Sequence, residues 1–189
     1  MIAASQSRYI TAAEFLGHPA ASGPSELVRG EVRPMTPAGA AQGIIAGTVF
    51  AALNAFVETH SSGVCFPDNT GFSLPGLGDT VRSPDVSFVS AAKLPAGGIG
   101  AGWVAAAPDL VVEVLSPTET ASELEAKLRD YFVSGTQMAW IVDPVSRIVS
   151  VRSAADGERF LSAEQMLDGG SVLPGFALPI ARLFVRLAK

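Results

Sequence analysis

Two apolar periods take turns along this chain, and each change of period marks a new element. Thr11, with Glu14 three residues on, forms a capping box at the head of a short helix within residues 9–16. Residues 27–32 alternate about Arg29-Gly30 as a tight hairpin does. Pro34, Pro37 and Gly39 break that pattern. Ile45, Val49, Leu53, Phe56 and Val57 then recur at helical spacing, predicting a helix over 40–60 with Gly63 past its end. A β-rich middle follows: a short strand at 71–74, a turn at 75–79, and a strand at 85–89 entered through Pro84. The Gly-rich stretch 93–103 reads as a mobile loop, because no helix begins there to complete a phosphate cradle. Residues 109–115 are almost unbroken in their apolarity, as in a strand covered on both faces. Pro117 ends that strand and opens a helix over about 119–134. Residues 138–142 form another buried strand, and 147–152 alternate after the Asp143-Pro144 turn. The C-terminal part, with Pro174-Gly175 and Pro179, is expected to finish the sheet and add a short helix. This order predicts an α/β fold of α+β-like character, a mixed β-sheet flanked by helices, not a regular doubly wound sheet.

At 189 residues the chain fits a single domain over 1–189. The 48% apolar fraction is that of a globular core. Its one cysteine, Cys65, excludes an internal disulfide and points to a reducing compartment. Cys65 reads as a small buried apolar residue, since neither His18 nor His60 lies in a motif that would activate a thiol. Gln6 and Glu14 interrupt any N-terminal apolar run, so no secretory signal is expected. The apolar segment 44–57 is too short to span a bilayer and reads as a core helix. A soluble, cytoplasmic protein with no membrane partner is the expectation. The net charge of −5 argues against simple phosphate-neutralising binding, although clustered carboxylates at a metal site would contribute to it.

Ionisable residues inside apolar strands narrow the chemistry. Glu113 lies within Leu110-Val111-Val112-Glu113-Val114-Leu115. A carboxylate buried there must protonate, pair or bind a metal. Alternation puts Val111, Glu113 and Leu115 on one face. Asp85 opens the strand behind Pro84; it is either a turn residue or, with Glu113, a hard oxygen ligand for a divalent cation. In the helix after Pro117, Ala121, Leu124, Leu128, Tyr131 and Phe132 form the apolar stripe, while Glu123, Glu125, Arg129 and Asp130 are expected to face away. Lys127 falls at the stripe's edge, where it either snorkels to solvent or reaches the carboxylates. Glu31, after the hairpin glycine, is either a solvated turn residue or a third acid. Arg29, Arg33 and Arg82 are weaker candidates for phosphate contacts.

Taken in order, Ser83-Pro84-Asp85-Val86, Asp109 to Pro117, Lys127 with Tyr131, and Trp140-Ile141-Val142-Asp143-Pro144 resemble the Uma-type endonuclease family. That family belongs to the PD-(D/E)XK, restriction-endonuclease-like superfamily. With Glu26-Leu27-Val28-Arg29-Gly30-Glu31-Val32 and Leu173-Pro174-Gly175-Phe176, the resemblance spans nearly the whole chain. It implies a restriction-endonuclease-like core and a Mg²⁺ or Mn²⁺ site. Asp85 matches the motif aspartate, Glu113 the acid of the next strand, and Glu31 the early glutamate. Leu115 stands where the wider superfamily carries its lysine; the Uma-type pattern moves it to the following helix, which Lys127 matches. Gln42 stands near an expected histidine. The implied activity is hydrolysis of nucleic-acid phosphodiesters, DNA being the expected substrate. Asp85 and Glu113 would hold the metal, Glu31 would assist, and Lys127 would position the water. Two rivals stand beside it: an inactive nuclease-fold domain that binds nucleic acid or a protein, and a metal-dependent hydrolase of a smaller phosphorylated substrate. The long helix, with Phe50 and Phe56, makes a homodimer the expected assembly.

Overall fold

The computed structural model describes residues 9–187; Gln6, used in reading the N-terminal segment, lies outside them. Helix α1 (Ala12–Leu16) carries the expected capping box between Thr11 and Glu14. A one-turn 3₁₀ helix (Pro19–Ser22) leads into the hairpin of β1 (Ser25–Val28) and β2 (Glu31–Pro34). Arg29 and Gly30 both have positive φ, 50° and 80°, the two-residue connection whose twist matches its flanking strands. Helix α2 (Ala40–His60) has the expected bounds, but Ser61 in the left-handed conformation ends it, not Gly63. Then follow β3 (Gly63–Pro67), β4 (Phe72–Ser73), β5 (Val81–Arg82), β6 (Val86–Ser90) and β7 (Leu110–Val114). Helix α3 (Ala121–Val133) starts at a second capping box, Thr120 with Glu123. The chain ends through β8 (Met138–Asp143), β9 (Ile148–Ser153), β10 (Gly157–Leu161), β11 (Met166–Gly169), β12 (Leu173–Pro179) and α4 (Ala181–Phe184).

A six-stranded sheet in the order β10-β9-β8-β7-β6-β3 forms the centre. Its parallel pair is β7 with β8, joined by α3; the others pair antiparallel. A mixed sheet flanked by helices is therefore what the chain builds. A four-stranded sheet, β2-β1-β5-β4, stands beside it. The expectation that the C-terminal part completes the main sheet is corrected: β11 and β12 pair only with each other, and β10 supplies the edge strand. Leu173, Phe176 and Leu178 of β12 pack into the cluster of α2, so this hairpin covers a face of the sheet instead of extending its edge.

Strand alternation decides what each face carries. Val86, Phe88, Leu110, Val112, Val114, Trp140 and Val142 join Ile45, Val49, Leu53 and Val57 of α2 in the larger core cluster. Val111, Ala139 and Ile141 point the other way, onto Leu128 and Tyr131 of α3. Glu113, two residues beyond Val111, must therefore emerge on the α3 side. Helix α2 is long and apolar enough to cross a membrane by length and composition, yet one stripe of it lies in this core. Phe50 and Phe56 also lean on that core, Phe56 edge-on to Phe176 at 5.5 Å between ring centres.

Cys65 is buried in the same cluster, and burial, aided by the charge of Glu58, pushes its thiol up to about 12. The thiolate is the reactive species. Native protein at pH 8 is thus expected to leave Cys65 unlabelled by a thiol reagent and to react stoichiometrically only after denaturation; rapid native labelling would contradict this burial.

Candidate active site

Four elements converge on one cleft of about 920 Å³, lined among others by Glu26, Gln42, Asp85, Glu113 and Lys127. Asp85 sits in the short link between β5 and β6, next to the sheet and 7% exposed. Its Oδ2 accepts the Val114 amide at 2.6 Å and its Oδ1 accepts Gln42 Nε2 at 3.0 Å, so β7 and the first turns of α2 both fix it. Glu113, one residue before the end of β7, is 3% exposed. The Tyr131 hydroxyl donates to its Oε1 at 2.9 Å, and Lys127 Nζ approaches its Oε2 at 3.4 Å. Lys127 also pairs with Glu119 at 2.8 Å. Lys127 and Tyr131 are four residues apart on α3 and so share one helical face.

Electrostatics follow from burial and crowding. Burial pushes Glu113 up to about 8; Lys127 opposes the shift, while the charges of Asp85, Glu26 and Glu119 add to it. Burial likewise pushes Asp85 up to about 6, against the Val114 amide and Gln42, which favour its charged form. Burial would lower Lys127, but Glu113, Glu26 and Glu119 hold it above its ordinary value, so Lys127 carries the positive charge. Tyr131 is raised by burial and by Glu113 and Glu26, and remains a phenol that donates.

Asp85, Glu113 and Lys127 are thus brought together. Glu31 is not: it is exposed, does not line the cleft, and bonds Arg33 at 2.6 Å. The acid of the hairpin that reaches the cleft is Glu26, on the face of β1 that Val28 shares and Leu27 does not. Its Oε1 accepts the Ser83 amide at 3.0 Å, two residues before Asp85, and its Oε2 pairs with Arg82 at 2.6 Å. The signal for Glu26 was the same as for Glu113, an acid inside a strand.

The arginines also sort differently. Arg82 lines the cleft but its guanidinium is spent on Glu26 and on Asp130, with Nη2 to Asp130 Oδ2 at 2.6 Å. Arg29 pairs with Asp130 Oδ1 at 2.8 Å and lies outside the cleft lining. Arg33 lines the cleft and is 63% exposed. Asp130, expected to face away from the core, is 2% exposed because these two arginines from the small sheet enclose it. Acids outnumber bases along the lining: Glu26, Asp68, Asp85, Glu113, Glu119 and Glu123 against Arg33, Arg82 and Lys127.

The donor set suits a hard cation. Each oxygen of Asp85 and Glu113 keeps a lone pair beyond its one hydrogen bond, and burial raises both carboxyls, so a cation held between them would favour their charged forms. No group of three or more His, Cys, Asp or Glu side chains that could hold a metal occurs among the described residues. Two carboxylates are nonetheless the usual protein share for Mg²⁺, which keeps several waters.

A mixed six-stranded sheet flanked by helices, with Glu113 on β7, Asp85 in the link before β6 and Lys127 on α3, defines the class: a mixed α/β fold. The model of the Uma2 family, described as "Putative restriction endonuclease", matches residues 12–181, and the chain belongs to that family. Among solved structures, a "putative nuclease belonging to DUF820" from Anabaena variabilis shares the fold with a TM-score of 0.80 at 23% identity, over 93% of this chain and 98% of that one. The comparison with curated proteins gives no match.

Proposed function

We propose that this cleft hydrolyses phosphodiester bonds of nucleic acid, with DNA the expected polymer, and that Asp85 and Glu113 hold Mg²⁺ or Mn²⁺ there. The observation that carries the reading is that two buried carboxylates and a charged lysine line one cleft, in a chain of the Uma2 family. A bound divalent ion would supply Lewis acidity toward the phosphate and lower the pKa of a coordinated water. The protein's own part is positional. Gln42 and the Val114 amide orient Asp85, and Tyr131 orients Glu113. Lys127, charged and hydrogen-bonding, can hold the attacking water or stabilise negative charge as it develops on the phosphate. Glu31 has no place in this scheme, and Glu26 acts through Arg82 and the Ser83 amide.

Calorimetric titration with Mn²⁺ tests the assignment. Wild type is expected to bind, and Glu113→Ala and Asp85→Ala each to lose the binding heat together with cleavage of an oligonucleotide. Undiminished metal binding and cleavage in Glu113→Ala would overturn it.

A further inference from the structure

We infer that the strand this cleft takes is unpaired, held over a few nucleotides, and not a double helix lying across the protein. The inference rests on the hydrolytic reading above and concerns its substrate. Both candidate ligands line the cleft yet are only 7% and 3% exposed, so a scissile phosphate must reach well below the surface to meet them. At about 920 Å³ the cleft is at the upper end of small-molecule sites, which run to roughly 1,000 Å³. A few nucleotides of one strand fit such a space; a duplex does not enter it.

Charge points the same way. A duplex binder neutralises many phosphates with a basic track. Here Arg82 and Arg29 are committed to Asp130 and Glu26, leaving Arg33, itself paired with Glu31, as the exposed arginine of the lining. The lining as a whole is acidic. Its lining instead offers surface suited to bases and sugar: Pro34, Met35 and Pro37 are apolar, and Ser116, Thr118 and Ser122 carry hydroxyls. Unpaired bases expose apolar faces that such a surface can cover, whereas paired bases keep theirs stacked.

Cleavage of one labelled oligonucleotide by the full chain with Mn²⁺, single-stranded and annealed to its complement, decides this. The single strand is expected to be cut at least about tenfold faster. With about one phosphate neutralised, kcat/KM should fall only about threefold between 50 and 200 mM KCl, against roughly 10³-fold or more for six or more contacts. A duplex cut as fast as the single strand, or a salt dependence of the steep kind, would overturn the inference while leaving the nuclease reading in place. No cleavage of either form with Mn²⁺ or Mg²⁺ would remove the nuclease reading, and this inference with it.

Discussion

Glu113→Gln is expected to abolish hydrolysis and, in metal-free buffer at neutral pH, to make the protein more stable than wild type. The two effects share one cause. In the fold, burial pushes the Glu113 carboxyl from 4.5 up to about 8. A carboxyl raised in the folded state favours folding fully below its unfolded pKa, and that contribution is lost as pH rises toward the folded value. Across the interval from about 4.5 to about 8, ionisation of Glu113 therefore works against the metal-free fold. Glutamine removes the ionisation, keeps an acceptor for the Tyr131 hydroxyl, and leaves Lys127 paired with Glu119. The gain is expected to be about 3 kcal/mol near pH 7, or a rise in Tm of roughly 6–12 °C for a chain of this length. It should vanish when the comparison is made at pH 4. Cleavage should fall by roughly 10³-fold, the scale on which one charge-handling group in a site registers. Thermal melts of both proteins at the two pH values, alongside the cleavage assay, check all three statements. A Tm that drops in Glu113→Gln at pH 7 would mean that Lys127 compensates the buried anion fully.

Arg82→Met is expected to cost far more than Arg29→Met, although both arginines bond the same aspartate. Arg82, Glu26 and Asp130 have side chains 7%, 3% and 2% exposed, and both carboxylates bond the guanidinium at 2.6 Å. Removing the cation leaves buried Glu26 with no cation and buried Asp130 with only the exposed Arg29, a loss of about 3–5 kcal/mol for a broken buried pair, or roughly 10 °C in Tm. Arg29 is 57% exposed, and its pair should contribute under about 1 kcal/mol. Neutralising the partners in the same chain, with Glu26→Gln and Asp130→Asn added to Arg82→Met, should recover much of the loss, because the penalty is that of unpaired charge. Melting curves of the single and triple variants settle the point; similar small losses for Arg82→Met and Arg29→Met would refute it. The network matters to the site because Asp130 precedes Tyr131 and follows Lys127 by three residues. Clamping Asp130 holds the helix that presents both groups to Glu113.

Much of this arrangement is written locally. The capping pairs Thr11–Glu14 and Thr120–Glu123 mark helix starts within a few residues, and the period of Ile45, Val49, Leu53 and Val57 fixes α2 and its buried stripe. Alternation alone places Glu113 opposite Val112 and Val114, and the helix after Pro117 carries Lys127 at the edge of its apolar face. Three of the candidate site residues, Asp85, Glu113 and Lys127, could therefore be read before any fold was known. What the pattern of one element cannot tell is which distant element it meets. Glu26 and Glu31 look alike in a hairpin; the pairing of β1 with β5 brings Glu26 to Arg82 and Ser83, while Glu31 turns outward to Arg33. Asp130 sits on the polar flank of α3 by its own spacing and is buried only because two arginines from another sheet close over it. For the same reason Arg82, which the sequence offers only as one of three candidates for a phosphate contact, is tied to partners 56 and 48 residues away. Period and capping depend on neighbours along the chain, so the elements and the faces they present are legible in the residue order. The pairing of buried charges depends on desolvation shared between elements far apart in the chain, so it exists only once the fold has brought those elements together.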